Sequence, residues 1–132
     1  MKANFDGAVF VSSGEAGVGV VVQNENGEVM AALSEKIALP SSIEVLETVA
    51  ARRATVFAVE LGFQRVIFEG DAAGVIKALS TRDLALALAG RLVKDFMSIT
   101  GSLRTFSFSH TRRQGNNVAY TLAKGASFSF LL

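Results

Sequence analysis

The sequence has no cysteine, one proline and one histidine among its 132 residues. The absence of cysteine excludes disulfide bonds, thiolate metal sites and a cysteine nucleophile. A single histidine excludes a transition-metal site built on several imidazoles. No apolar run is long enough to span a bilayer, and the first residues lack the apolar segment of a signal peptide. We therefore expect a soluble, intracellular protein with no membrane partner.

Half of the residues are hydrophobic, which is enough to form the core of one domain over residues 1–132. The net charge is only +1, but the charges are unevenly distributed. Every Asp and Glu lies at or before Asp95, and the charged residues after it are basic. An acidic cluster beside a basic C-terminal segment suits a metal site next to a phosphate-binding surface, although chance also produces such asymmetry in a small protein.

The first third of the chain has the pattern of β-strands. Residues 3–11, 17–23 and 29 to about 35 are apolar stretches of strand length. Asn26-Gly27 lies between the last two, and an Asn-Gly pair between apolar runs favours a hairpin because both residues tolerate positive φ. The short link at residues 12–16 indicates a second hairpin. We therefore predict three consecutive antiparallel strands.

After residue 40 the apolar residues recur at helical spacing. Residues 41–44 form a capping-box pattern that opens a helix, and Gly62 is expected to end it. A repeating strand–helix pattern follows, which builds parallel strands through right-handed crossovers and predicts a mixed five-stranded sheet covered by helices. The apolar tail is expected to pack back on the body. The predicted segments are a strand at 65–69, helices at 72–79 and 84–99, a strand at 104–109, a helix at 116–125 and the tail at 128–132.

Three carboxylates stand out, although each has an ordinary structural explanation. Asp6 could face solvent on a half-exposed sheet, Glu47 could oppose a helix dipole, and Asp71 could cap the next helix. However, Asp is a poor strand residue, and Glu44 already fills the capping-box role. The carboxyl end of a parallel strand, where Asp71 lies, is where α/β proteins place ligand-binding groups. If strands one and four are neighbours, the three acids converge on a site for Mg²⁺ or Mn²⁺.

Several segments, in this order and spacing, resemble the ribonuclease H family, and within it the plant retroelement-type, reverse-transcriptase-associated branch. They are NFDGA at 4–8, GVGVVV at 17–22, NGEV at 26–29, ETVAARRA at 47–54, FEGD at 68–71, HTRRQGNNVA at 110–119 and LAK at 122–124. The resemblance implies the strand order 3-2-1-4-5 with strand 2 antiparallel. It also implies that Asp6, Glu47 and Asp71 bind Mg²⁺, and that the substrate is nucleic acid, typically the RNA strand of an RNA–DNA hybrid.

The resemblance extends to the segment after the fifth strand. It implies that His110 assists near the active site, in proton handling or product release. Arg112, Arg113 and Asn116 are candidate phosphate-binding residues, with backbone N–H groups helping at the start of the last helix. An ordinary solvated loop explains these three residues equally well.

One position departs from the family pattern. The fourth metal-site carboxylate is expected at position 120, where this chain has Tyr120. Tyrosine is a poor Mg²⁺ ligand because its phenol stays protonated at neutral pH. The leading hypothesis is a Mg²⁺-dependent endonuclease that hydrolyses the RNA strand of RNA–DNA hybrids, with activity reduced by Tyr120. The alternatives are a nucleic-acid-binding module with the same fold and little catalysis, and a protein–protein interaction module.

Overall fold

A computed structural model describes residues 1–81 and 90–127 and contains one five-stranded sheet in the order β3-β2-β1-β4-β5. The β1–β2 and β2–β3 pairs are antiparallel, and the β1–β4 and β4–β5 pairs are parallel. This confirms the predicted mixed sheet, its order and the antiparallel second strand. The strands are β1 (Lys2–Phe10), β2 (Glu15–Gln23), β3 (Val29–Ala38), β4 (Arg65–Gly70) and β5 (Thr105–His110).

Four α-helices lie in the described part of the chain, and none of them is both long and apolar enough to cross a membrane. A short 3₁₀ turn at Arg113–Asn116 precedes the last one. Predicted helical residues 84–89 and the tail at 128–132 fall outside the described residues. The helices are α1 (Ile43–Glu60), α2 (Ala73–Thr81), α3 (Gly90–Thr100) and α4 (Asn117–Gly125).

The start of α1 differs by one residue from the predicted capping box. Ser42 is the N-cap, and its hydroxyl accepts a hydrogen bond from the Val45 N–H at 3.1 Å. The third helical position is therefore Val45 rather than Glu44, so the reciprocal acid of a capping box is missing. Gly62 follows the helix with a φ of +78°, the left-handed conformation expected after a helix end.

Glycines bring α4 directly onto β2. A Cβ at Gly17 or Gly19 would collide with the carbonyl oxygens of Ala123 and Ala119, respectively. Asp6 is paired with Gly19 across the β1–β2 ladder, so its side chain is on the face that α4 covers. Gly7 faces the other way, where a Cβ would lie 2.6 Å from the Leu46 Cγ of α1. The two helices thus cover opposite faces of the central strands.

The main core lies between α1 and the sheet. Alternate residues of β1 and β2 point into it, and the small side chains of α1 let the helix approach closely. Burial of this apolar surface fixes the position of α1 relative to β1, and with it the position of Glu47 on α1. The buried residues at this interface include Ala3, Phe5, Val18, Val20, Val22, Leu46, Ala50 and Ala54.

Candidate metal centre

Asp6 is buried in the middle of the sheet, with 3% of its surface exposed. Its strand is flanked by β2 on one side and β4 on the other, and α4 covers the face to which it points. The interpretation as a solvent-facing strand residue is therefore wrong. The Asp6 Oδ1 atom accepts a hydrogen bond from the Gly7 N–H at 2.8 Å, whereas Oδ2 is buried without a partner.

Glu47 is the second buried acid, with 6% of its surface exposed. It lies one turn inside α1, while Glu44 is the exposed acid of the first turn. The helix-dipole explanation therefore fits Glu44, which lies in the first turn of α1, and does not account for Glu47. The Glu47 Oε2 atom is buried with no hydrogen-bond partner. Among the described residues, only Asp6 and Glu47 have such an atom.

Asp71 directly follows β4, and it lies near Asp6 because β1 and β4 run parallel. The register pairs Asn4 of β1 with Glu69 of β4. Asp6 and Asp71 each lie two residues beyond that pair, so they are close to one another. The helix after Asp71 begins at Ala73, and Ala72 provides the first helical carbonyl to Ile76. Asp71 is thus not the residue directly before that helix.

The structure brings the three side chains together. One carboxylate oxygen from each of Asp6, Glu47 and Asp71 lies within 4.8 Å of the others. Burial raises the pKa of Glu47 to about 9, and the neighbouring charge of Asp6 adds to the effect. Burial also raises the pKa of Asp6, with the charge of Asp71 as the next cause, while the Gly7 N–H, the Glu47 carboxyl group and the Arg113 guanidinium oppose the rise.

These observations fit a divalent cation of the hard, oxygen-preferring kind. The donors are carboxylate oxygens, and two of them are buried without a hydrogen-bond partner, which is costly unless another group neutralises them. Oxygen-only donors select ions such as Mg²⁺, Ca²⁺ and Mn²⁺ over softer metals. Asp6, Glu47 and Asp71 are therefore the residues able to hold such an ion.

Basic residues and Tyr120 line the same cleft as the acids and form its basic wall. His110 ends β5 and is exposed, as are Arg112 and Arg113 in the segment that follows. The Arg113 guanidinium carbon lies 4.4 Å from the centroid of the Tyr120 ring, and the Lys124 Nζ lies 5.6 Å from it. Sequence reasoning missed Lys124, although its spacing of four residues from Tyr120 on a helix was a usable signal.

Asn116 was predicted to contact phosphate, but the structure places it in the interior, with 1% of its surface exposed. Its Nδ2 donates to the Phe5 carbonyl at 2.8 Å, and its Oδ1 accepts from the Asn4 Nδ2 at 3.1 Å. Asn116 is therefore not placed to contact a substrate. It ties the start of α4 to β1, one residue before Asp6.

The site opens into a cleft of about 680 Å³. The carboxylates and the basic residues line the same cleft, with apolar side chains of β1 and α1 beside them. Of the residues predicted to act at the site, the cleft takes in all except Asn116. The predicted residues that line the cleft are Asp6, Glu47, Asp71, His110, Arg112 and Arg113. Tyr120 and Lys124 line it as well.

Solved structures with this fold include ribonucleases H. RNase H1 from the halophilic archaeon Halobacterium salinarum NRC-1 is 26% identical, with 97% of each chain covered and a TM-score of 0.86. LC11-RNase H1, solved in complex with an RNA/DNA hybrid, is 20% identical, with 99% of each chain covered and a TM-score of 0.82. The foamy viral protease–reverse transcriptase, solved in complex with dsDNA, is 18% identical over 97% of this chain and 94% of that chain, with a TM-score of 0.77.

The two likenesses below 25% identity concern the fold alone. None of the curated proteins matches the chain significantly. A family model described as reverse transcriptase-like matches residues 4–126, which include all three carboxylates and the basic wall. With that match and the sheet order of a ribonuclease H, this chain belongs to the reverse transcriptase-like family of ribonuclease H-like domains.

Proposed function

We propose that this chain is a divalent-metal-dependent endonuclease that hydrolyses the RNA strand of RNA–DNA hybrids, with Mg²⁺ or Mn²⁺ as its ion. The observation that carries the proposal is the pair of buried, unpartnered carboxylate oxygens on Asp6 and Glu47, grouped with Asp71. The fold supports it, since LC11-RNase H1 shares that fold and was solved with an RNA/DNA hybrid. The assignment to a plant retroelement branch stays a prediction.

The three acids would hold the ion. A divalent ion, when bound there, supplies Lewis-acid polarisation of the phosphate and acidifies water. The protein's own part is to fix the donor atoms: the Gly7 N–H holds the Asp6 carboxylate in one orientation, and the packing of α1 holds Glu47. Because the donors are fixed before binding, little rearrangement is needed when the ion enters.

The remaining wall would bind and orient the nucleic acid. Arg112 and Arg113 are exposed, and we expect their guanidinium groups to contact backbone phosphates. His110 is exposed and lines the cleft, and its proposed role is to accept or donate a proton during cleavage. RNA is distinguished from DNA by contacts to the 2′-hydroxyl groups.

A second candidate is a nucleic-acid-binding module with the same cleft and little catalysis. Tyr120 favours it, because this chain has a tyrosine, which is a poor Mg²⁺ ligand, where the family pattern has a fourth acid. The two candidates share their partner and differ in whether the phosphodiester bond is cut.

A cleavage assay separates them. A hybrid labelled on its RNA strand is incubated with the protein and Mg²⁺ or Mn²⁺, beside Asp6→Asn. Glu44→Gln is the matched control, since Glu44 is an exposed acid one turn before Glu47 on the same helix. We expect cleavage by the wild type and by Glu44→Gln, and none by Asp6→Asn. Salt-sensitive binding of the hybrid without cleavage would support the second candidate.

A further inference from the structure

Beside the carboxylates, one aromatic ring carries two cations. Tyr120 lies in the first turn of α4, and Arg113 reaches its ring from the preceding 3₁₀ turn. Lys124 reaches the same ring from one helical turn further along. Both cation–ring distances are within about 6 Å of the ring centroid, the range in which a cation is attracted by the π-face. The ring thus holds two positive groups in the cleft that contains the acids.

The three acids form one cluster of donor atoms. One oxygen of Asp6 already accepts the Gly7 N–H, which leaves Oδ2 as its unpartnered atom. The cluster contributes one ligand atom from each of three residues, all within 4.8 Å, which is enough for one ion that also keeps bound water. A two-ion site needs a second ion about 4 Å away, and the described residues that line the cleft include no further Asp or Glu to help hold it.

The basic wall beside the acids carries the positive charges of Arg113 and Lys124. Arg113 lines the same cleft as the acids, and its guanidinium lies on the Tyr120 ring, so a second dication would be repelled where Arg113 already provides positive charge. One dication leaves three ionised carboxylates with one net negative charge, and Arg113 and Lys124 together exceed that charge by one, which leaves positive charge for the substrate. The π-face of the Tyr120 ring favours cations at this position.

From this geometry we infer that the chain binds one divalent ion, and that Arg113 and Lys124, held on the Tyr120 ring, form a phosphate-binding site that supplies the remaining positive charge to the substrate. The inference deepens the proposed function and rests on it. Tyr120 is then a positioning residue for two cations rather than a defective metal ligand.

The number of ions is measured on the free protein by titration with Mn²⁺, following unbound Mn²⁺ by electron paramagnetic resonance. We expect one ion for the wild type and for Tyr120→Phe, which keeps the ring. Tyr120→Asp adds an acid beside the cluster, and we expect a second ion. Two ions on the wild type, or an unchanged count in Tyr120→Asp, would overturn the inference.

The phosphate site is measured by hybrid binding in EDTA, where no turnover occurs. Arg113→Gln and Lys124→Gln should each lower the slope of log Kd against log salt by about one. Arg104→Gln, an exposed arginine at the other end of β5 that does not line the cleft, should lower it by less. Tyr120→Leu should weaken binding roughly 2- to 5-fold for each cation released, and Tyr120→Phe should bind like the wild type.

Two results would contradict the phosphate site: Tyr120→Leu binding the hybrid like the wild type, or Arg113→Gln matching Arg104→Gln. Thermal unfolding of each variant shows whether it is folded, and the comparison of Arg113→Gln with Arg104→Gln still tests the site if Tyr120→Leu does not fold. Failure of the proposed function is seen separately, as absence of hybrid cleavage by the wild type at saturating Mn²⁺. Neither the ion count nor the EDTA binding depends on that cleavage.

Discussion

Replacing Glu47 by glutamine should stabilise the metal-free protein. The pKa of Glu47 is raised from 4.5 to about 9 by burial and by the neighbouring acids. Between these two values the folded state holds a proton that the unfolded state has released. The stability contributed by this group is therefore fully present below pH 4.5 and is lost as the pH rises toward 9.

The size of the effect follows from the same shift. One proton corresponds to about 1.4 kcal/mol per pH unit, so between pH 4.5 and 7 the wild type loses about 3 kcal/mol through this group. Glu47→Gln has no such proton to lose. At pH 7 in EDTA it should be more stable than the wild type by up to about 3 kcal/mol, since the amide avoids burying a charge.

The assay is urea unfolding at pH 5.5, 7 and 8.5, in EDTA and in Mg²⁺. In EDTA the free energy of unfolding of the wild type should fall more steeply with pH than that of Glu47→Gln. Saturating Mg²⁺ should raise the stability of the wild type, by about 3 kcal/mol at 100 times Kd, and should affect Glu47→Gln less. Glu44→Gln, with its exposed acid, should keep the wild-type slope. Equal slopes for the wild type and Glu47→Gln would refute this reasoning.

Three further predictions concern the support of the site. Gly19→Ala should destabilise the protein by about 1–3 kcal/mol in urea unfolding, because its Cβ collides with α4; Gly74→Ala, in open space on α2, should not, and equal losses would contradict this. Asn116→Ala should cost about 2–3 kcal/mol by leaving the buried Phe5 carbonyl unpaired, and an unchanged urea midpoint would count against that role. His110→Ala should slow hybrid cleavage about 100-fold with unchanged Mn²⁺ affinity, whereas an unchanged rate would exclude proton transfer by His110.

The sheet could be predicted because its signals are local. Alternation, strand length and the Asn26-Gly27 pair mark the first strands, and Gly27 does adopt a φ of +77° in the hairpin. The strand–helix repeat after residue 62 requires parallel pairing. The convergence of Asp6 and Asp71 then follows, because parallel neighbours end at the same edge of a sheet.

The contacts around the start of α4 could not be predicted in the same way. Asn116 looked like a loop residue facing solvent, since nothing in the sequence around it shows that its amide is used by Phe5 and Asn4 of β1. The stacking of Arg113 on Tyr120 depends on how the 3₁₀ turn folds back onto α4. Both are tertiary contacts, so local spacing carries no sign of them.

The central claim is that Asp6, Glu47 and Asp71 hold a divalent ion. Crystals grown with Mn²⁺ and measured near the manganese absorption edge test it directly. We predict an anomalous peak about 2.1 Å from one oxygen of each of these carboxylates. A map at saturating Mn²⁺ with no peak at the three acids, or with its peak elsewhere in the cleft, would contradict the account.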